Sequence, residues 1–173
     1  VFRPCDVHAT TQCWRLAMEN MDTPTALIFS RQNVNDLPAG TKYSGVEKGA
    51  YEVVAEANPD VVLVASGSEV STLAEAAALL AVDGIKARVV SCPSEGLFRR
   101  QSKEYQESIL PSGVKTFALT AGLPVIFEGL VGANGRVYGL DSFGFSAPFK
   151  VLDEKLGYTA QNMYNEIKKF LAE

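Results

Sequence analysis

The run Val61–Ala65 is apolar and mostly β-branched, and it gives way at once to Ser66-Gly67-Ser68-Glu69. A run of that kind fits a strand covered on both faces, because alternate side chains point to opposite sides and neither side carries a polar residue. Behind the turn, Val70, Leu73, Ala74, Ala77, Leu80 and Ala81 recur at helical spacing, and Gly84 stands where a left-handed terminating glycine belongs. Strand, tight turn and amphipathic helix together make a βα unit, and the pattern continues. Strands are predicted at 86–91, 115–120 and 136–140, and a helix at 102–110 closed by Pro111. Val125–Val131 is an apolar run that fits either state. Helices at 147–156 and 161–171 finish the chain, with Gly157 stopping the first and Thr159 capping the second. Strand–helix repeats with short turns define an α/β fold, with a mostly parallel sheet and helices on both faces.

Ahead of this unit the pattern differs. Residues 7–21 read as an amphipathic helix capped by Asp6, with Val7, Trp14, Ala17, Met18 and Met21 on its apolar face. Asp22-Thr23-Pro24 stops it, and 25–30 has the composition of a buried strand. A polar connection bearing Gly and Pro follows over 31–49, with Leu37-Pro38-Ala39-Gly40 in its middle. That shift divides the chain into residues 1–40 and residues 41–173. A length of 173 residues suits one ordinary domain and a shorter piece. The chain starts with Val, as expected of a sequence cut from something longer.

Composition excludes several classes of function. With 16 basic and 20 acidic side chains the net charge is −4, and no basic run exceeds a pair, so a nucleic-acid partner is not expected. No apolar stretch approaches the roughly 20 residues that a membrane span needs, and no secretory leader is visible. Three cysteines at unmatched spacing argue against a disulfide framework and for a reducing, cytoplasmic setting. Cys5, His8 and Cys13 match no zinc spacing, so no metal site is expected. No paired carboxylates and no nucleophile with its base emerge, so no catalytic residue is assigned.

Two places could hold an anion. The turn Ser66-Gly67-Ser68 leaves amides at the positive end of a helix, a generic anion site; equally, Ser66 and Glu69 have the spacing of a capping box. Arg31 follows directly after the predicted strand 25–30, where α/β proteins place ligand-facing groups. Its guanidinium either binds a phosphate in bidentate fashion or is a solvated surface arginine. The turn lacks the G-x-G-x-x-G spacing and the phosphate-loop lysine, which disfavours a dehydrogenase-like nucleotide site.

Several segments in order resemble the C-terminal part of transketolases. They are Phe2-Arg3-Pro4-Cys5-Asp6, the stretch Pro24 to Gln32 with its Ser30-Arg31-Gln32, and Gly45-Val46-Glu47-Lys48-Gly49. The series continues with Ala65 to Val70, Arg88 to Ser94, Tyr105 to Pro111, Phe143-Gly144-Phe145-Ser146-Ala147-Pro148 and Gly157-Tyr158-Thr159. The resemblance implies a Rossmann-like, three-layer domain with one antiparallel strand over 41–173, and the tail of the middle, pyrimidine-binding domain over 1–40. It implies that Arg31 holds the phosphate of a sugar-phosphate substrate. In the full-length, homodimeric enzyme, thiamine diphosphate and Mg²⁺ would serve the transfer of two-carbon ketol units in the pentose phosphate pathway. No residue here corresponds to the family's cofactor-binding or metal-binding groups, so the chain alone is expected to be inactive and to bind neither. Trp14 and residues 27–29 are expected to be exposed, or covered by self-association. Dihydroxyacetone synthase and deoxyxylulose-phosphate synthase are related alternatives, and a non-enzymatic anion-binding module is an alternative of another class.

Overall fold

The computed structural model describes residues 1–38 and 40–173; Ala39, in the middle of the predicted boundary, lies outside the described residues. Five strands form one sheet: β1 (Tyr51–Val54), β2 (Val61–Ala65), β3 (Ala87–Ser91), β4 (Lys115–Leu119) and β5 (Arg136–Tyr138). Their order is β1-β3-β2-β4-β5, with β1 antiparallel to β3 and every other pairing parallel. The three central strands sit where their apolar runs require. β2 and β3 are buried at every residue and β4 at all but Lys115.

Alternation along β2 sorts the core into two layers. Val61, Leu63 and Ala65 face a cluster built by α1 (Val7–Glu19), α2 (Glu69–Val82) and α7 (Ala160–Ala172). Val62 and Val64 face Phe98 of α3 (Glu95–Arg99), Ile109 of α4 (Lys103–Ile109) and Phe127 of α5 (Val125–Val131). Each such Val, Leu, Ile or Phe side chain contributes roughly 1.5–3 kcal/mol when fully buried. Helices therefore cover both faces of a mixed, mostly parallel sheet, the three-layer Rossmann-like arrangement that the resemblance implies.

Within that frame α2 buries Val70, Leu73, Ala77 and Leu80 as its stripe predicts, with Ala76 inside and Ala81 outside. Asp6 caps α1 by accepting the Ala9 amide at 2.8 Å, and Thr159 caps α7 by accepting the Asn162 amide at 3.2 Å. The ambiguous run 125–131 is helical, and the strand predicted over 136–140 ends at Tyr138. A helix α6 (Phe149–Leu156) and a 3₁₀ turn over Tyr43–Lys48 complete the chain.

Two expectations for the N-terminal part are corrected. Residues 25–30 are not a strand: they make one parallel bridge, Leu27 to Phe2, and among the described residues no second strand lies alongside to extend a ladder. In α1 the buried face is the small one, Ala9 and Cys13, which packs with Phe2 and Cys5 onto the sheet. Val7, Trp14, Met18 and Met21 point outward. Trp14 and Phe29, each about half exposed, stack with ring centroids 6.5 Å apart. Trp14, Ile28 and Phe29 are exposed, whereas Leu27 is half-buried beside Phe2.

Candidate functional site

The two anion-binding candidates, 35 positions apart in sequence, are joined through Gln32, the neighbour of Arg31, which bonds Ser68 of the turn. The turn Ser66-Gly67-Ser68 leaves the carboxyl end of β2, with β3 on one side and β4 on the other, so it stands where the strand order reverses. In open α/β sheets the crevice at that point is the usual ligand site. Here Ser68, Glu69, Ala121 and Tyr158 line an open groove of about 670 Å³, and Gln32 joins them from the segment that carries Arg31.

Arg3 fills the β3 side of the turn. Its backbone amide donates to the Pro93 carbonyl at 2.8 Å, and the Gly67 amide donates to the Arg3 carbonyl at 3.1 Å. The guanidinium donates to Ser66 Oγ and to Glu69 Oε2, each at 3.2 Å. Gly67 has φ +65°, and a Cβ there would meet the guanidinium at 3.2 Å, so both backbone shape and space favour glycine. The capping-box geometry is not made. α2 starts at Glu69, and Ser66 Oγ accepts from Arg3 instead of capping an amide. Glu69 is buried, which pushes its carboxyl upward; the charge of Arg3 and the hydroxyl of Ser68, donating at 3.0 Å, oppose that shift. The negative group nearest the positive end of α2 is thus the chain's own carboxylate.

Arg31 is exposed. The segment around it is fastened at three points: the Ile28 amide to the Phe2 carbonyl at 2.9 Å, Gln32 Nε2 to Ser68 Oγ at 3.2 Å, and the Leu37 amide to Asp6 Oδ2 at 3.2 Å. Asp6 also accepts from the Tyr43 hydroxyl at 2.5 Å, so one buried carboxylate ties α1, the connection and the 3₁₀ turn together. Burial, with Asp6 alongside, pushes the Tyr43 phenol well above its ordinary value.

The remaining sequence candidates lie elsewhere. His8 packs against the Tyr43 ring at 5.2 Å. Cys5, Cys13 and Cys92 are free and buried. Among the described residues no group of three or more His, Cys, Asp or Glu could hold a metal ion, and no helix is long and apolar enough to cross a membrane. Sequence reading missed Gln32 and Glu69 as partners of Ser68 and Arg3, since contacts 36 and 66 positions apart leave no local pattern.

Fold and site together define a Rossmann-like α/β domain whose switch-point turn is clasped by the chain's N-terminal segment. A family model described as the transketolase-like TK C-terminal domain matches residues 49–159. The chain belongs to the transketolase family. It is 41% identical to transketolase 2 of Vibrio parahaemolyticus over 99% of its length, and 43% identical to the transketolase of Staphylococcus aureus over 96%. It spans about a quarter of those relatives, 26% of each. Among solved structures, transketolase from Leishmania mexicana matches 99% of this chain and 25% of that one at a TM-score of 0.91 and 35% identity. Transketolase from Pichia stipitis in complex with sedoheptulose 7-phosphate matches the same shares at 0.88 and 32%.

Proposed function

We propose that this chain is the C-terminal part of a thiamine-dependent transketolase that moves two-carbon ketol units between sugar phosphates, and that Arg31 holds the substrate phosphate. Residues 1–40 are then the tail of the pyrimidine-binding domain and 41–173 the C-terminal domain. The observation that carries the reading is the setting of Arg31. Its guanidinium is exposed, while the adjacent residue is fastened to the switch-point turn, so a permanent cation is presented from a fixed base. Sedoheptulose 7-phosphate in the Pichia stipitis relative supports the substrate class.

A phosphate held by a forked cation fixes the far end of a sugar and leaves its carbonyl end for the reaction. Ketol transfer needs an electron sink for a carbanion, which thiamine diphosphate supplies when bound in a transketolase. The described residues offer no cluster of metal-ligating side chains that fits its Mg²⁺. No step is therefore assigned to the cofactor or the metal in this chain. By itself the chain binds neither and does not catalyse transfer. In the complete enzyme it forms part of a cytoplasmic homodimer serving the pentose phosphate pathway. Three free, buried thiols accord with a reducing compartment.

The test is Arg31→Leu in a full-length subunit. KM for a ketose phosphate is expected to rise by about tenfold or more, the scale of losing a charge-assisted bidentate contact, with a smaller change for the unphosphorylated sugar. Equal effects on both substrates would contradict the assignment.

A further inference from the structure

Between Ile28 and Leu37, the bond from Gln32 to Ser68 is the one hydrogen bond that fastens the chain among the described residues. It is made by the immediate neighbour of Arg31. Consecutive Cα atoms are about 3.8 Å apart, so fixing Gln32 fixes the base of the Arg31 side chain.

The bond is the first link of a chain with consistent polarity. Gln32 Nε2 donates to Ser68 Oγ at 3.2 Å, and the single proton of that hydroxyl goes to Glu69 Oε1 at 3.0 Å. Glu69 Oε2 takes Arg3 Nη2 at 3.2 Å, and Arg3 Nη1 reaches Ser66 Oγ at 3.2 Å. With its proton committed to a carboxylate, the Ser68 oxygen can serve Gln32 only as an acceptor, and the nearby charge strengthens that role. Glu69 is about 7% exposed, so the end of the chain that holds Ser68 is itself held. Ser68 makes no capping bond in α2, which leaves its hydroxyl free for this use.

We propose that Gln32 and Ser68 are positioning residues for Arg31, joining the phosphate clamp to the first turn of α2 in the C-terminal domain. This rests on the reading of Arg31 as that clamp. It gives the C-terminal domain a part in substrate selection: α2 sets where the guanidinium stands, without touching substrate.

The experiment uses a full-length transketolase subunit that includes this sequence, and measures kcat/KM for a ketose phosphate against its unphosphorylated counterpart. Gln32→Leu and Ser68→Ala should each lower that ratio by about three- to tenfold, the scale of one hydrogen bond, mainly through KM for the phosphorylated sugar. Ser68→Thr keeps the hydroxyl and should return the ratio to within about twofold of the parent. The double variant should be no worse than either single one, because both remove the same bond. If Arg31→Leu lowers the ratio but Gln32→Leu and Ser68→Ala do not, the positioning role is overturned and the clamp stands. If Arg31→Leu leaves the ratio unchanged, the clamp fails and the positioning role with it. A fall in kcat equal for both sugars, accompanied by a lower Tm, would mark a purely structural effect and also overturn the proposal.

Discussion

The guanidinium of Arg88 donates to the backbone carbonyl of Glu56 through Nη2 at 2.8 Å and Nε at 3.1 Å. The same side chain reaches the carbonyls of Ser108 and Ile109 at 2.7 and 3.2 Å and pairs with Glu52 at 2.9 Å. One planar fork on β3 thus closes the end of α4, the connection after β1 and the antiparallel edge. Arg88 is buried, so removing it leaves carbonyls unpaired away from water. Arg88→Met should cost about 3 kcal/mol in urea unfolding, and Arg88→Lys should recover less than half, since a compact ammonium cannot span groups on separate segments as the extended guanidinium fork does. A loss under about 1 kcal/mol for Arg88→Met would contradict this account of the edge.

Gly49 closes the 3₁₀ turn with φ +86°, and a Cβ there would lie 2.4 Å from both the Phe98 amide nitrogen and the Ser94 carbonyl oxygen. Both are backbone atoms that cannot swing aside. Gly49→Ala should lower stability by about 3 kcal/mol or more, or prevent folding. Gly96 in α3 has no atom near its would-be Cβ, and Gly96→Ala should raise stability by about 0.5–1 kcal/mol. Urea midpoints of the two variants should therefore move in opposite directions.

How much of this was legible in the sequence depends on how far each feature is local. The stripe of α2 and the run Val61–Ala65 are patterns of neighbours, and both were read correctly along with the caps Asp6 and Thr159. α1 misled because it has two apolar faces. The sequence shows the larger one, Trp14 and Met18, whereas the packed one is Ala9 and Cys13. Residues 25–30 have strand composition but a single bridging partner, and pairing is a property of neighbours that composition does not carry. At the site, Arg31 and the turn were both visible as isolated features. Their union through Gln32 and Ser68, and the seating of Arg3 on Glu69, depend on contacts across dozens of residues.

Asp83, at the end of α2, pairs with Lys168 of α7 at 2.5 Å and accepts from the Tyr164 hydroxyl. Bonds from Lys168 and Tyr164 pull the Asp83 carboxyl below its ordinary 3.8, and the same aspartate lifts Lys168 above its ordinary 10.5. A depressed carboxyl stabilises the fold above its unfolded value and loses that contribution as pH falls through the folded one. A raised ammonium does so below its unfolded value and loses it as pH climbs through the folded one. The small stability difference between parent and Asp83→Asn should therefore be flat across neutral pH and vanish at both acidic and strongly alkaline ends. A difference independent of pH down to strong acid would contradict the pairing.

The three thiols should be inert in the folded chain. Cys5, Cys13 and Cys92 are buried, and burial pushes each thiol upward, Cys13 to about 12. Thiolate is the reactive form, so iodoacetamide near pH 8 should label none of them until denaturant is added, and all three afterwards. Intact mass gives the count directly. Rapid labelling of the native chain would contradict the packing of Cys5 and Cys13 in the α1 layer or of Cys92 in the opposite one.

The most direct test of the central claim is a crystal structure of a complete subunit containing this sequence, soaked with a ketose phosphate. The account predicts phosphate oxygens within about 3 Å of the Arg31 guanidinium, with Gln32 still bonded to Ser68. A phosphate seated elsewhere, with Arg31 turned to solvent, would contradict it.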